Sequence, residues 1–319
     1  MTKEVYMLDR RGFLARAAGL GAAAGLGLML PQGRAQAATG PMQMRAVPAT
    51  GELIPVIGMG SWITFNVGQD IAIRTARAEV LKTFFALGGG VVDSSPMYGT
   101  AQDVIGWCLD QLRTQGVATD GLFSATKVWT PVFGDGPIQM AEARRLWRVN
   151  RFDLMQVHNL VDWKTHLETL RGDKAAGRVR YVGITTSHGS RHREFAEIME
   201  REPLDFVQFT YNVLDREAEK RLLPLAAERG IGVIINRPFR RKALINQFAG
   251  KPLPDWAGEI GVRSWPQFLL KFVVSHPAVT CAIPTTSQVA HMAENMSVGR
   301  GPMPDAAMRA RMTAYVEAL

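Results

Sequence analysis

DFVQFTYNVLDREAEKRLLPLAAERGIGVIINRPF, residues 205–239, holds two apolar runs on either side of a helix-like pattern. The first run is DFVQFTYN (205–212) and the second is GVIINRPF (232–239). Between them EAEKRLLPLAAERG (217–230) ends in a glycine, which suits a helix C-terminus. Two continuous apolar strands joined through a helix form a parallel pair covered on both faces.

The same unit repeats outward in both directions. Six further strand-like runs are VIGMGSW (56–62), GVVDSS (90–95), LFSATKVW (122–129), DLMQVHN (153–159), VRYVGITTS (179–187) and VTCAIPTTS (279–287). Helical patterns such as TARAEVLKTFFALG (75–88) and AQDVIGWCLDQLRTQG (101–116) lie between them. Eight strand–helix units in this length predict an α/β fold, a closed (β/α)8 TIM barrel. An open Rossmann sheet is the alternative, but no G-x-G-x-x-G follows an early strand, and Gly88-Gly89-Gly90 precedes one instead. In MRAVPATGELIPVIGMG (44–60) a Thr-Gly turn joins two short extended runs, predicting a β-hairpin that closes the barrel floor.

The first 37 residues read differently. Arg10 and Arg11 precede an Ala/Gly/Leu run from Ala17 to Leu30, and Ala35-Gln36-Ala37 forms a small-residue cleavage site. The order Arg10-Arg11-Gly12-Phe13-Leu14 resembles the bacterial twin-arginine signal, with Asp9 where Ser or Thr is usual. The expectation is a cleaved signal peptide over 1–37, one barrel domain over 38–319, passage through the twin-arginine translocation machinery, and a periplasmic location. The apolar run is too short and glycine-rich to span a bilayer, so no stable membrane insertion is expected after cleavage.

Removing that segment takes away Lys3, Arg10, Arg11, Arg16 and Arg34 against Glu4 and Asp9, and the formal charge falls from +8 to +5. No block of Lys and Arg interleaved with aromatics is present, which argues against a nucleic-acid partner. Cys108 and Cys281 stand far apart in apolar contexts and read as buried thiols, with no metal-ligand spacing.

Catalytic groups of a barrel lie at the C-terminal ends of its strands. Asp93, Tyr98, Lys127 and His158 fall there, contributed by three successive strands and the turn after one of them. With the ordered motifs VVDSSPMYG, SATKVW, QVHN, GIT, DFVQFTYN and IPTTSxxxHMAEN, the chain resembles the aldo-keto reductases from near Met44 to near Leu319. The resemblance implies reduction of a small-molecule carbonyl by NADP(H) or NAD(H). It also implies that Tyr98 is the acid, Lys127 the cation that stabilises its phenolate, Asp93 the partner of Lys127, and His158 the group that orients the substrate oxygen.

For the cofactor, the resemblance points to Gly60, Ser61, Trp62, Thr185, Gln208, Arg237, Phe239, Thr285, Thr286, Glu294 and Asn295. Thr185-Thr186 stand where the family's Ser-Asn grips the carboxamide, and Asn236 stands where an aromatic ring usually stacks on nicotinamide. Tyr211 or Phe239 is then the candidate replacement ring. Thr285 and His291 occupy positions where many members carry the Lys and Arg that select NADP, which leaves the nucleotide preference open. Trp62, Trp129 and the loop TPVFGDG (130–136) are the expected substrate walls. A second functional reading is an exported binding protein whose cofactor site has decayed.

Overall fold

The computed structural model describes residues 40–132 and 134–319; the expected signal segment, 1–37, lies outside the described residues. By its internal contacts Ala37–Leu319 is one compact unit. Its centre is an eight-stranded parallel sheet in sequential order: β3 (Met59–Gly60), β4 (Val91–Asp93), β5 (Phe123–Val128), β6 (Phe152–Val157), β7 (Val179–Thr185), β8 (Phe206–Thr210), β9 (Gly232–Asn236) and β10 (Cys281–Ala282). A parallel bridge between Ile57 and Ala282 joins the two edges. The amides of Gly58 and Ala282 donate across this seam to Ala282 O and Val56 O at 2.8 and 2.9 Å. The expected barrel forms, with all eight runs as strands.

Strand parity explains how the barrel is filled. Val91, Phe123, Ala125, Leu154, Tyr181, Phe206, Ile234 and Cys281 form one buried cluster inside it. Their strand neighbours Val92, Met155, Val182, Val207, Val233 and Ile235 belong to the larger cluster beneath the helices. Since side chains alternate along a strand, Asp93, Lys127, Gln156 and Gln208 share the inward parity two residues beyond Val91, Ala125, Leu154 and Phe206. The lower barrel is therefore apolar and its upper end polar.

The predicted hairpin is present as β1 (Met44–Ala46) paired antiparallel with β2 (Leu53–Pro55). Val47 and Ile54 enter the inner apolar cluster from below. Thr50 Oγ1 lies 2.7 Å from Tyr181 Oη, and that hydroxyl donates to Glu52 at 2.6 Å. Arg180 links Glu52 to Asp153, tying the hairpin to β6 and β7.

The surrounding helices include α1 (Ile71–Ala86), α2 (Ala101–Thr114), α3 (Asp135–Trp147), α4 (Trp163–Ala175), α5 (His192–Arg201) and α6 (Leu222–Glu228). Helix α6 is shorter than the pattern 217–230 because Pro224 is accommodated only in a first helical turn, where its missing N–H is not needed. The remaining helices are α7 (Ala243–Phe248), α8 (Trp265–Val274), α9 (Val289–Val298) and α10 (Ala306–Glu317). Trp256 and Trp265 pack with Phe268 and Tyr315 in an aromatic cluster under these last elements. Among the described residues no helix is long and apolar enough to cross a membrane.

Helices α2 and α3 meet at Gly106, where a Cβ would fall 1.9 Å from Leu146 O. On an open helix Gly→Ala stabilises by about 1 kcal/mol. Here the backbone contact reverses the sign, and Gly106→Ala is expected to lower stability by about 1–3 kcal/mol in urea unfolding. A variant as stable as the parent would refute the close approach.

Candidate active site

Asp93 ends β4, two residues above the apolar lower barrel. Its carboxylate is 2 % exposed and receives donors from three other strands. Lys127 from β5 pairs with Oδ2, while Gln156 from β6 and Gln208 from β8 donate to Oδ1 at 3.1 and 3.0 Å. The fully buried Lys127 also donates to Ser94 O at 2.8 Å. A buried charge of either sign is costly alone, so each residue fixes the other.

Tyr98 is delivered by a tight turn, Pro96–Tyr98, immediately after β4. Lys127 Nζ lies 5.4 Å from its ring centroid. Burial raises the Tyr98 pKa above the usual phenol value, and the Lys127 charge opposes this without cancelling it. His158 follows β6, with its ring edge-on to Tyr98 at 5.6 Å between centroids. Burial, aided by the Lys127 charge, pushes His158 down to about 2, so its imidazole is neutral at ordinary pH. The arrangement presents a protonated phenol and a neutral imidazole side by side, with a cation behind the phenol.

Both rings open into a cleft of about 430 Å³. Of the four tetrad residues, Asp93, Tyr98 and His158 line it, and Lys127 lies behind Asp93. All eleven residues that the sequence marked for the cofactor also line it: Gly60, Ser61, Trp62, Thr185, Gln208, Arg237, Phe239, Thr285, Thr286, Glu294 and Asn295. The loop after β3 is tied to the loop after β10 by Thr64 Oγ1 and Thr285 Oγ1, 2.6 Å apart.

The chemistry of the walls fits a ligand with an anionic centre and an amide. Among the described residues Arg237 and Arg241 have no carboxylate partner. Arg241 stacks over Trp62 at 4.2 Å, and the Arg237 guanidinium lies 5.9 Å from the same ring. Burial and the nearby Arg241 lower the Arg237 pKa, a state that a bound anion would relieve. Asn159, beside His158 in the cleft, carries a buried Oδ1 with no hydrogen-bond partner, while its backbone N–H donates to Thr185 Oγ1 at 3.1 Å.

Three details depart from the sequence reading. Tyr211 is not a stacking ring for the cleft, because it is fully buried against Phe272, with its hydroxyl bonded to Glu219 and Arg309. Phe239 is the candidate that reaches the cleft. Thr186 turns its hydroxyl to His188 O, leaving Thr185 alone at the wall. Trp129 lies outside the cleft lining, its backbone bonded to Gln139; Ile63 and Met97 join Trp62 at the mouth instead. Ile63 is held at φ 65°, unfavourable for a β-branched residue, and its exposed side chain faced no sequence signal. Asn159 and Met97 were each adjacent to a recognised residue, the only hint available.

The fold and this cleft define a (β/α)8 barrel with its site at the C-terminal strand ends. The sequence profile of the aldo/keto reductase family matches residues 56–314, and the chain belongs to that family. It is 22% identical to the aldo-keto reductase YhdN of Bacillus subtilis over 209 residues, 61% of each chain, so the match spans about three fifths of that relative. An uncharacterised oxidoreductase of Schizosaccharomyces pombe is 29% identical over 253 residues, covering 76% of this chain and 78% of the relative. The fold is also that of an aldo/keto reductase from Klebsiella pneumoniae solved with NADP and acetate, with a TM-score of 0.69 at 21% identity, covering 83% of this chain and 92% of the other.

Removing the cation from the buried pair tests this geometry. Lys127→Met is expected to cost about 3–5 kcal/mol in urea unfolding, because Asp93 is left buried without its partner. Adding Asp93→Asn should recover most of that loss. Equal stability of the single variant and the parent would show that the pair does not organise the barrel mouth.

Proposed function

We propose that the protein reduces an aldehyde or ketone to an alcohol in this cleft, using NADPH or NADH, with Tyr98 as the proton donor. The observation that carries the reading is the meeting of Tyr98 and His158 over the Lys127–Asp93 pair, in the cleft lined by the expected cofactor residues. When bound, the dinucleotide supplies the hydride that attacks the carbonyl carbon. Arg237, Arg241, Thr285 and Thr286 would hold its phosphates, and Thr185 and Asn159 its carboxamide.

The chain's own residues handle the oxygen. His158, neutral, donates a hydrogen bond to it and fixes its direction. As negative charge develops there, Tyr98 gives up its proton, and Lys127 stabilises the phenolate that remains. Asp93 pairs with Lys127 and holds it in place. The apolar mouth of Trp62, Ile63 and Met97 favours a carbonyl carried on a hydrophobic or aromatic body.

Tyr98→Phe is expected to lower kcat for an aromatic aldehyde by about 10²–10⁴-fold with an unchanged circular dichroism spectrum. Near-parental turnover would remove Tyr98 from the acid role. The pH profile follows from the signs of the shifts. Tyr98, raised above its ordinary pKa of about 10, stays protonated through the neutral range, and His158 does not charge until about pH 2. Reduction should therefore be flat between about pH 6 and about pH 9, and a fall through pH 7–8 would contradict this assignment.

The twin-arginine segment supports export of the mature barrel to the periplasm. N-terminal sequencing of protein from that compartment should begin at Ala38, and replacing both Arg10 and Arg11 by Lys should leave the uncleaved chain in the cytoplasm. Unchanged secretion by that variant would reject the twin-arginine route.

A further inference from the structure

The tetrad leaves one buried hydroxyl unexplained. Ser95, between Asp93 and the Tyr98 turn, is fully buried, and its Oγ lies 2.7 Å from Nδ1 of His158, itself 4 % exposed. The same Oγ accepts the Met97 backbone N–H at 3.2 Å.

A serine hydroxyl has one proton to give, and a neutral imidazole carries its proton on only one nitrogen. Two arrangements are possible. If Nδ1 were protonated and donated to Ser95, the serine proton would need another acceptor, and the described residues provide none. Nε2 would then turn a lone pair towards the substrate oxygen, repelling it. If Ser95 donates to Nδ1, its oxygen accepts from Met97, its proton is used, and Nε2 carries the remaining imidazole proton. Only the second arrangement satisfies every buried group.

We propose that Ser95 is a positioning residue that locks His158 in the Nε2–H tautomer, so that the imidazole donates to the carbonyl oxygen. The proposal rests on the reductase reading for its purpose, but its structural half stands by itself. The surroundings of the ring agree with it: burial and the Lys127 charge exclude the doubly protonated form, leaving the choice between two neutral tautomers to the partner of Nδ1. Ser95 also caps the turn that carries Tyr98, so its effect through His158 must be separated from its effect through that turn.

The test combines nitrogen-15 NMR of the histidine side chains with steady-state reduction of an aromatic aldehyde by NADPH or NADH, on the full chain. The His158 signals are assigned by their loss in His158→Gln. The parent should show a protonated Nε2 and a proton-free Nδ1 at His158. Ser95→Ala should give mixed tautomers and a kcat at least about tenfold lower, as expected when the partner that fixes a catalytic histidine's tautomer is lost, with little change in the dinucleotide KM. Ser95→Thr, which keeps the hydroxyl, should restore both the tautomer and most of kcat. In the His158→Gln background Ser95→Ala should cost less than about twofold, because the residue acts through the imidazole.

A proton on Nδ1 in the parent overturns the proposal, as does a Ser95→Ala kcat within about twofold of the parent. An equal loss in the His158→Gln background assigns the effect to the Tyr98 turn and also overturns it. If the parent reduces no carbonyl, the functional reading fails, while the NMR spectrum still decides the tautomer.

Discussion

The buried pair of Lys127 and Asp93 is the constraint around which the barrel mouth is arranged. Four strands contribute to it: Asp93 from β4, Lys127 from β5, Gln156 from β6 and Gln208 from β8. Replacing such a pair by apolar side chains is often neutral or stabilising, so its retention is not explained by stability alone. Its effect is to place a fixed positive charge behind Tyr98 and beside His158. That charge limits the rise of the phenol pKa and adds to the burial that keeps the imidazole neutral.

The barrel was legible because it depends on repetition. Each strand is an apolar run bounded by turn residues, and inward parity separates Asp93, Lys127, Gln156 and Gln208 from the aliphatic layer below. The floor hairpin was legible from the Thr50-Gly51 turn, where Gly51 takes φ 76°. The cleft was readable where a wall residue sits at a strand end, since strand register fixes its direction. It was not readable where direction depends on loop conformation. Tyr211, three residues past Gln208, turns down to Glu219 and Arg309. Arg237, Arg240, Arg241 and Lys242 all have positive φ without a glycine among them, and no local sequence rule anticipates four such residues. Ser95 is not legible in the sequence because its role exists only through a contact to His158 across 63 positions.

Where the family usually carries an aromatic ring after the seventh barrel strand, Asn236 is held instead by Thr186 O at 2.9 Å and by the Thr210 hydroxyl at 2.8 Å. Phe239 is the ring that reaches the cleft beside this amide, with Arg237 and Arg241 gathered at Trp62. Charge-assisted contacts from these two guanidinium groups to the phosphates of a dinucleotide would then add to its affinity. This bears on the proposed export. A pathway that carries folded protein permits loading before translocation, and a ligand at a hundredfold excess over Kd adds about 2.7 kcal/mol to the folded state.

The most direct measurement is mass spectrometry, with near-ultraviolet absorbance, of small molecules released by denaturing the protein purified without added nucleotide. The account expects NADP(H) or NAD(H) in near one-to-one ratio, identifying the cofactor as well as its retention. Protein that is empty, and that binds neither nucleotide when titrated, would contradict the account and favour a barrel that binds some other ligand.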